Sequence, residues 1–485
     1  MSPDNIEIVR QVLQGLEQVV VPALTDPAAR IYVDLFSRLL NHVAVQEAGA
    51  SLEQARLEQQ SNVDIGEQII DLFSFRVCDL SGQALAERAA RVAAAVQAER
   101  LRLLPLQPEI AFGIGSTYEG GRLDRKKIRY SPPEHGEDNP LTIGTITEIL
   151  RANGDTFRHA VVEDLRILPG GFSKQTLLMK GQNLPWGDGE FVIRRDGVSN
   201  YTNTSVVDEA PVLTAMFKAG IHVAEPLHLE KAGQRSGPAF LISRKCPGTN
   251  SIAAWRNDSL KVERFLSDLA AQIAALHRIP AAHSGMPPGD IGRPLEELIT
   301  AEIKRWAVLY QGLGAEPYWL EAERSWLLAN IPHSGGRPTV IHGDIGFHNL
   351  LTEDGAITAI LDWEFCHLGD PQEELNYVRP FVEMVGAWDR FIGHYESTSG
   401  LRYRPQDALF WEIWRNYRNG AGCAGALHAF RQRNFRNAID GTALAASAFA
   451  FGPRYQLEAA ERIVDALSAR HPAFLPNKPI LEHGA

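Results

Sequence analysis

From Asn5 to about Leu104 the apolar positions fall three and four apart. Ile6, Val9, Leu13, Leu16 and Val20 form one such series and Ile31, Leu35 and Leu39 another, the spacing that gathers apolar side chains on one face of a helix. Ala84 to Leu101 is alanine-rich with arginines and glutamates between, which predicts an amphipathic helix of good intrinsic propensity. Residues 1–104 therefore read as an all-α helical bundle with its own core. Over residues 105–140 the pattern is lost and Gly, Pro and charged residues accumulate, the chemistry of a linker or long loop. There "GIGSTYEGG" imitates a phosphate-binding loop, but it lacks the GK[ST] ending and no convincing strand precedes it, so it reads as loop.

After Leu141 the period shortens to two. "AVVEDLRILPGGFSKQTLLMKG" alternates, turns at Gly-Gly and alternates again, which predicts a hairpin, and "GEFVIRRDG" predicts a third strand. In "VVDEAPVLTAMFKAGI" Val207, Leu213 and Phe217 have helical spacing, with Pro211 placing the predicted helix start just before it. "AFLISRKCPGTN" is a further strand, and most of the chain beyond it is helical. The fold class is thus α+β: a strand-rich lobe over residues 141–245 and a larger helical lobe over 246–485. Two unequal lobes leave a cleft, where ligands tend to bind.

Composition narrows the function classes. The chain has 485 residues, 45% hydrophobic and 22% charged, and a formal net charge of −11. That balance suits a soluble multidomain protein and argues against nucleic acid as a partner. Cys78, Cys246, Cys366 and Cys423 lie far apart with no CxxC pair, so neither a disulfide framework nor a thiolate zinc site is expected, and a reducing cytoplasmic setting fits. The longest uncharged stretch, Gly441 to Pro453, is too short to cross a bilayer, so no membrane role is expected.

One segment concentrates the chemistry, "TVIHGDIGFHNLLTEDGAITAILDWEFCHLGDP" from Thr339 to Pro371. "TVI" and "AITAILDW" are short β-type runs with the turn "TEDG" between them, which places the polar residues at loops bordering a small hairpin. Asp344, Asn349 and Asp362 then converge. Asn349 and Asp362 are hard oxygen donors suited to Mg²⁺, and Asp344 is left to accept a proton from an attacking hydroxyl. This is the division of labour phosphoryl transfer asks of a protein.

"HGDIGFHN", followed by "LDWE" and "GDPQEEL", resembles the catalytic segment of the aminoglycoside phosphotransferase and choline kinase-like family, whose fold is that of protein kinases. The resemblance runs from about Leu141 to the C-terminus. It implies an ATP- and Mg²⁺-dependent kinase acting on a small-molecule hydroxyl, with Asp344 as catalytic base and Asn349 and Asp362 as metal ligands. It also implies that "GGFSKQT" covers the nucleotide phosphates, bringing in Gly171, Phe172, Ser173 and Thr176. Many relatives continue this loop with a Ser-Asn pattern, whereas here Ser173 is followed by Lys174. On "FVIRRDG" the family's phosphate-binding lysine is matched by Arg194, with Arg195 one register away. Arginine keeps the charge and adds a two-pronged grip on phosphate. Kinase domains fused to acyl-CoA dehydrogenases, which this pattern resembles most, also read "VLR" at this place. Glu209 is the implied ion-pair partner from the following helix, with Asp208 as the alternative.

Three further residues, Glu364, Arg415 and Arg418, are candidates for the acceptor pocket. Against that reading, Trp411, Trp414, Tyr417 and Arg418 also fit ordinary core packing. A hydrolase metal cluster of His342, Asp344, His348, Asp362, Glu364 and His367 is the competing site, but it leaves the glycine turn and the arginine strand unexplained. Among kinases, the acceptor is a hydroxyacyl-CoA or related alcohol, or alternatively an aminoglycoside-type antibiotic. A non-catalytic nucleotide-binding scaffold is the alternative of another class, and the 1–104 bundle is the expected surface for a homodimer.

Overall fold

The computed structural model describes residues 68–80, 82–103, 141–168, 173–197, 204–233, 236–311, 318–333, 335–431 and 438–468. Both N-terminal helical series, Ile6 to Val20 and Ile31 to Leu39, the long loop with "GIGSTYEGG", and Gly171 and Phe172 of the glycine turn lie outside them. Residues 68–73 are helical and are followed by α1, Gly82–Leu103, and α2, Ile143–Ala152. A five-stranded antiparallel sheet then forms from β1 (Val161–Ile167), β2 (Lys174–Gln182), β3 (Gly189–Asp196), β4 (Pro226–Glu230) and β5 (Phe240–Arg244) in the order β1-β2-β3-β5-β4. The hairpin, third strand and "AFLIS" strand are where the alternation places them. β4 had no such signal, since "PLHLE" is half-buried throughout.

Strand period decides which side chains see the cleft. On β2 and β3, Leu177, Met179, Phe191 and Ile193 enter a core with Ile146, Ile149 and Leu150 of α2. Arg195 shares that alternating set and is 3% exposed, whereas Thr176 and Arg194 oppose each other on the other face. Of the two arginines it is therefore Arg194 that stands on the face turned away from this core.

Between β3 and β4 lies α3, Val206–Lys218. It starts five residues before Pro211, not just before it, because Ser205 and Asp208 form a capping box that secures the first turn. Spending Asp208 on the cap leaves Glu209, one residue on and 4% exposed, to face the sheet.

The rest of the chain builds the helical lobe: α4 (Ser259–Arg278), α5 (Leu295–Ala307), α6 (Tyr318–Ala329), α7 (Pro371–Glu383), α8 (Trp388–Ser399), α9 (Ala408–Arg431) and α10 (Ala438–Ser468). The strands within it are β6 (Thr339–Ile341), β7 (Leu350–Glu353), β8 (Ala356–Ile360) and β9 (His367–Gly369). "TVI" does not pair with "AITAI" as the sequence suggested; it pairs with β9, and the hairpin is β7–β8. Its turn has Asp354 at φ 51° and Gly355 at φ 80°, two left-handed residues in succession, which the right-handed twist of a tight hairpin favours.

Within residues 1–104, the described residues 68–80 and 82–103 pack against the helical lobe. Leu72, Phe73, Phe75, Val77 and, on α1, Leu85, Val92 and Val96 share one core with Trp319 and Trp326 of α6, Trp411 and Trp414 of α9 and Ile463 of α10. Phe73 meets Trp319 edge to face at 5.6 Å. The amphipathic stripe was read correctly as helix, but its partner is the distant helical lobe. Trp411, Trp414 and Tyr417 are packing residues of that same core.

Candidate active site

The β7–β8 hairpin explains why Asn349 and Asp362 come together. They flank its open end, where Leu361 N donates to Asn349 O at 2.8 Å. Asp362 has φ 64°, and Gly343, next to Asp344, has φ 83°. A left-handed aspartate is strained relative to glycine, and such residues gather at functional sites. At Gly343 a Cβ would stand 3.0 Å from Phe365 O and 3.2 Å from an Arg418 nitrogen, so glycine is needed for both reasons.

Asp344 is ringed by donors. Asn349 Nδ2 donates to its Oδ2 at 2.7 Å and to its carbonyl at 3.0 Å. The Tyr377 hydroxyl donates to Oδ1, His348 Nε2 lies 3.3 Å from Oδ2, and an Arg418 nitrogen lies 4.0 Å from Oδ1. Burial pushes the Asp344 carboxyl up, but His348, Arg418 and Tyr377 outweigh it and hold the pKa below the usual value. The loop itself is held by Glu374 of α7, whose Oε2 accepts from His342 N at 2.6 Å and Gly343 N at 3.3 Å. His342 accepts from Asp344 N at Nδ1, 3.1 Å, and its Nε2 donates to Leu361 O at 2.9 Å. Burial depresses its pKa to about 4, so it braces the loop as a neutral ring.

From the β-lobe, Arg194 reaches into the same place. Its Nη2 lies 2.7 Å from Asp362 Oδ1 and its Nη1 3.5 Å from Glu209 Oε2. Lys174 stands beside it, with Nζ 3.0 Å from Glu209 Oε1 and 3.1 Å from Glu364 Oε2. Ser173 Oγ also donates to Glu364, at 2.7 Å. Thus Ser173, Arg194, Glu209, Asn349, Asp344 and Asp362 come together, while Thr176 stands directly opposite Arg194 on the cleft face.

The acceptor-pocket candidates sort differently. Glu364 is turned to the β-lobe by Ser173 and Lys174. Arg418 is 3% exposed, donates to Gly343 O and lies over the Tyr377 ring at 4.6 Å; it supports the Asp344 loop from beneath and does not line an open wall. Arg415 is half-buried on α9. Glu374, Tyr377 and Lys174 received no role from the sequence. The first two lie in or just after "GDPQEEL", and Lys174 was visible only as a departure from a pattern.

The donor set fits a hard divalent cation. Asn349 spends its NH₂ on Asp344, which leaves Oδ1 for ligation, and Asp362 is a partly exposed carboxylate across from it. Two protein oxygens with phosphate oxygens completing the shell is the arrangement Mg²⁺ prefers. Among the described residues no group of three or more His, Cys, Asp or Glu is placed to hold a metal, so the hydrolase cluster does not form there. No described helix is long and apolar enough to cross a membrane.

Comparison with known proteins places the chain in a family. The model of the phosphotransferase enzyme family matches residues 164–410, just over half of the chain. The chain belongs to this family. Acyl-CoA dehydrogenase family member 10 of Mus musculus is 26% identical over 180 residues, which are 35% of this chain and 16% of that protein. Hygromycin-B 4-O-kinase of Escherichia coli is 33% identical over 70 residues, 13% of this chain and 20% of the kinase. The chain thus spans a quarter or less of the curated relatives it matches. A crystal structure of a putative aminoglycoside phosphotransferase from Ralstonia eutropha is 19% identical, with TM-score 0.47, covering 64% of this chain and 97% of that one. The matched span of this phosphotransferase family member reaches into both lobes of the cleft and holds every group named around Asp344 except Arg418.

Proposed function

We propose that the chain transfers the γ-phosphoryl group of ATP, with Mg²⁺, to a hydroxyl of a small molecule. The observation that carries this reading is the meeting of Asp344, Asn349 and Asp362 at one end of the β7–β8 hairpin, facing Arg194 across the cleft. Asp344, kept ionised by its donors, takes the acceptor's proton as the new O–P bond forms and the bond to ADP breaks. Asn349 orients that carboxylate through its NH₂ and offers Oδ1, with Asp362, to the metal. When bound, Mg²⁺ neutralises charge on the phosphate oxygens. Arg194 supplies a further cation for the phosphates.

For the acceptor, hydroxyacyl-CoA thioesters come first. The relatives named as acyl-CoA dehydrogenase family members support this, as does a base flanked by the Arg418 guanidinium and by His348, whose pKa the Asp344 carboxylate raises against burial, a poor setting for a polycationic antibiotic. The likeness to hygromycin-B 4-O-kinase supports the antibiotic alternative. A screen for ADP release with hydroxyacyl-CoA thioesters, choline-like alcohols and aminoglycosides side by side tests both. ADP formation that needs a hydroxyacyl thioester and is lost in Asp344→Asn is the expected result. ATP binding without turnover on any of the three classes would favour the nucleotide-binding scaffold.

A further inference from the structure

We propose that Lys174 is a positioning residue of the nucleotide site, a cation on β2 that occupies Glu209 and Glu364 so that Arg194 on β3 stays turned toward the phosphates. The inference rests on the phosphotransferase reading above.

Lys174 is 2% exposed, and its Nζ has Glu209 Oε1 at 3.0 Å, Glu364 Oε2 at 3.1 Å and Thr204 Oγ1 at 2.9 Å. An ammonium has three donors. They are met by Thr204 Oγ1, Thr204 O at 3.4 Å and Glu364 Oε2, while Glu209 is held as an ion pair, so this lysine has no donor left for a phosphate unless it abandons one of these partners. Arg194 is in the opposite position. Its guanidinium has five donors, is 21% exposed, and lies 2.7 Å from Asp362 and 3.5 Å from Glu209. Donors remain for an incoming phosphate.

The balance of charge gives the lysine its purpose. Glu209, Glu364 and Asp362 put three carboxylates around two cations. Removing Lys174 would leave two buried carboxylates, Glu209 and Glu364, competing with Asp362 for one guanidinium. A buried charge without a partner is costly, so Arg194 would be drawn inward and the phosphates would lose their anchor. Lys174 and Arg194 reach these acids from adjacent antiparallel strands on the same cleft face, with Thr176 opposite Arg194 and Lys174 opposite Asp196.

The test uses the full chain and measures Mg²⁺-ATP binding by calorimetry without acceptor, alongside ATP KM and kcat in turnover. Lys174→Met is expected to weaken nucleotide binding about tenfold, the scale of one lost charge-assisted hydrogen bond, and to raise KM more than it lowers kcat. Lys174→Met combined with Glu364→Gln is expected to recover most of that affinity, because removing one carboxylate restores the balance. A residue that merely stabilised the sheet would show no such recovery. Lys174→Gln, which keeps a polar contact to Thr204, replaces Lys174→Met if that variant does not fold. A parent chain that binds no Mg²⁺-ATP overturns the phosphotransferase reading, and this inference with it. A parent that binds, with Lys174 variants binding equally well or with no recovery in the double variant, overturns this inference alone.

Discussion

Arg194 Nη2 on β3 lies 2.7 Å from Asp362 Oδ1 beyond β8, an ion pair that joins the two lobes across the cleft. One side chain thus links the strand proposed to face the nucleotide phosphates with the carboxylate proposed to hold their metal. Arg194→Ala should raise the ATP KM with a smaller change in kcat, and Arg194→Lys should retain partial activity, since the charge survives and the fork is lost. Arg195→Ala should instead lower the melting temperature, because Arg195 is buried on the sheet's other face. Steady-state kinetics and melting curves of the three variants check this, and a KM effect confined to Arg195→Ala would contradict the register.

Asp344→Asn should keep nucleotide affinity and lose about 10²–10⁴ in turnover, the range for removing a general base. The comparison needs an acceptor that the parent phosphorylates. Unchanged turnover would remove Asp344 from the base role.

For Asp362→Ala the expected change is in metal dependence. Titrating Mg²⁺ against ATP binding should show a higher half-saturating concentration than in the parent, because one of two protein oxygens is gone. Identical curves would place the metal elsewhere.

Phe73 is fully buried against Trp319, in a core shared with α9 and α10. Phe73→Ala should cost about 3–5 kcal/mol of stability, seen as a fall in the denaturation midpoint of the helical lobe. If residues 68–103 were an independent unit, that lobe's unfolding would not move.

His367 gives a pH dependence. Burial opposes its charge, but Glu373, 3.1 Å away, and Glu302 outweigh burial and push its pKa up to about 9. A histidine raised in the folded state contributes stability that is fully present below its ordinary value near 6.5 and is lost as pH rises through about 9. Melting temperatures from pH 6 to pH 10 should therefore fall more steeply in the parent than in His367→Gln.

Local pattern settled what depends on neighbours in the chain. Alternation in "TLLMKG" and "FVIRRDG" marks β2 and β3, helical spacing marks α1, and Asp344, Asn349 and Asp362 declare themselves because turn-forming acids and amides between apolar runs must sit at loop ends. Matters of partnership between distant segments were left open. Whether "TVI" pairs with β8 or β9, which helices receive Phe73, and whether Arg418 meets a substrate or the Gly343 carbonyl all depend on packing between segments distant in the chain. Capping decided between Asp208 and Glu209, since only the folded helix start shows Asp208 spent on Ser205. Lys174 is the sharpest case: in the sequence it is one misfit in a loop pattern, and only the fold brings Glu209 and Glu364, 35 and 190 positions away, to a single ammonium. Long-range charge pairing has no period to read, so tertiary structure alone determines it.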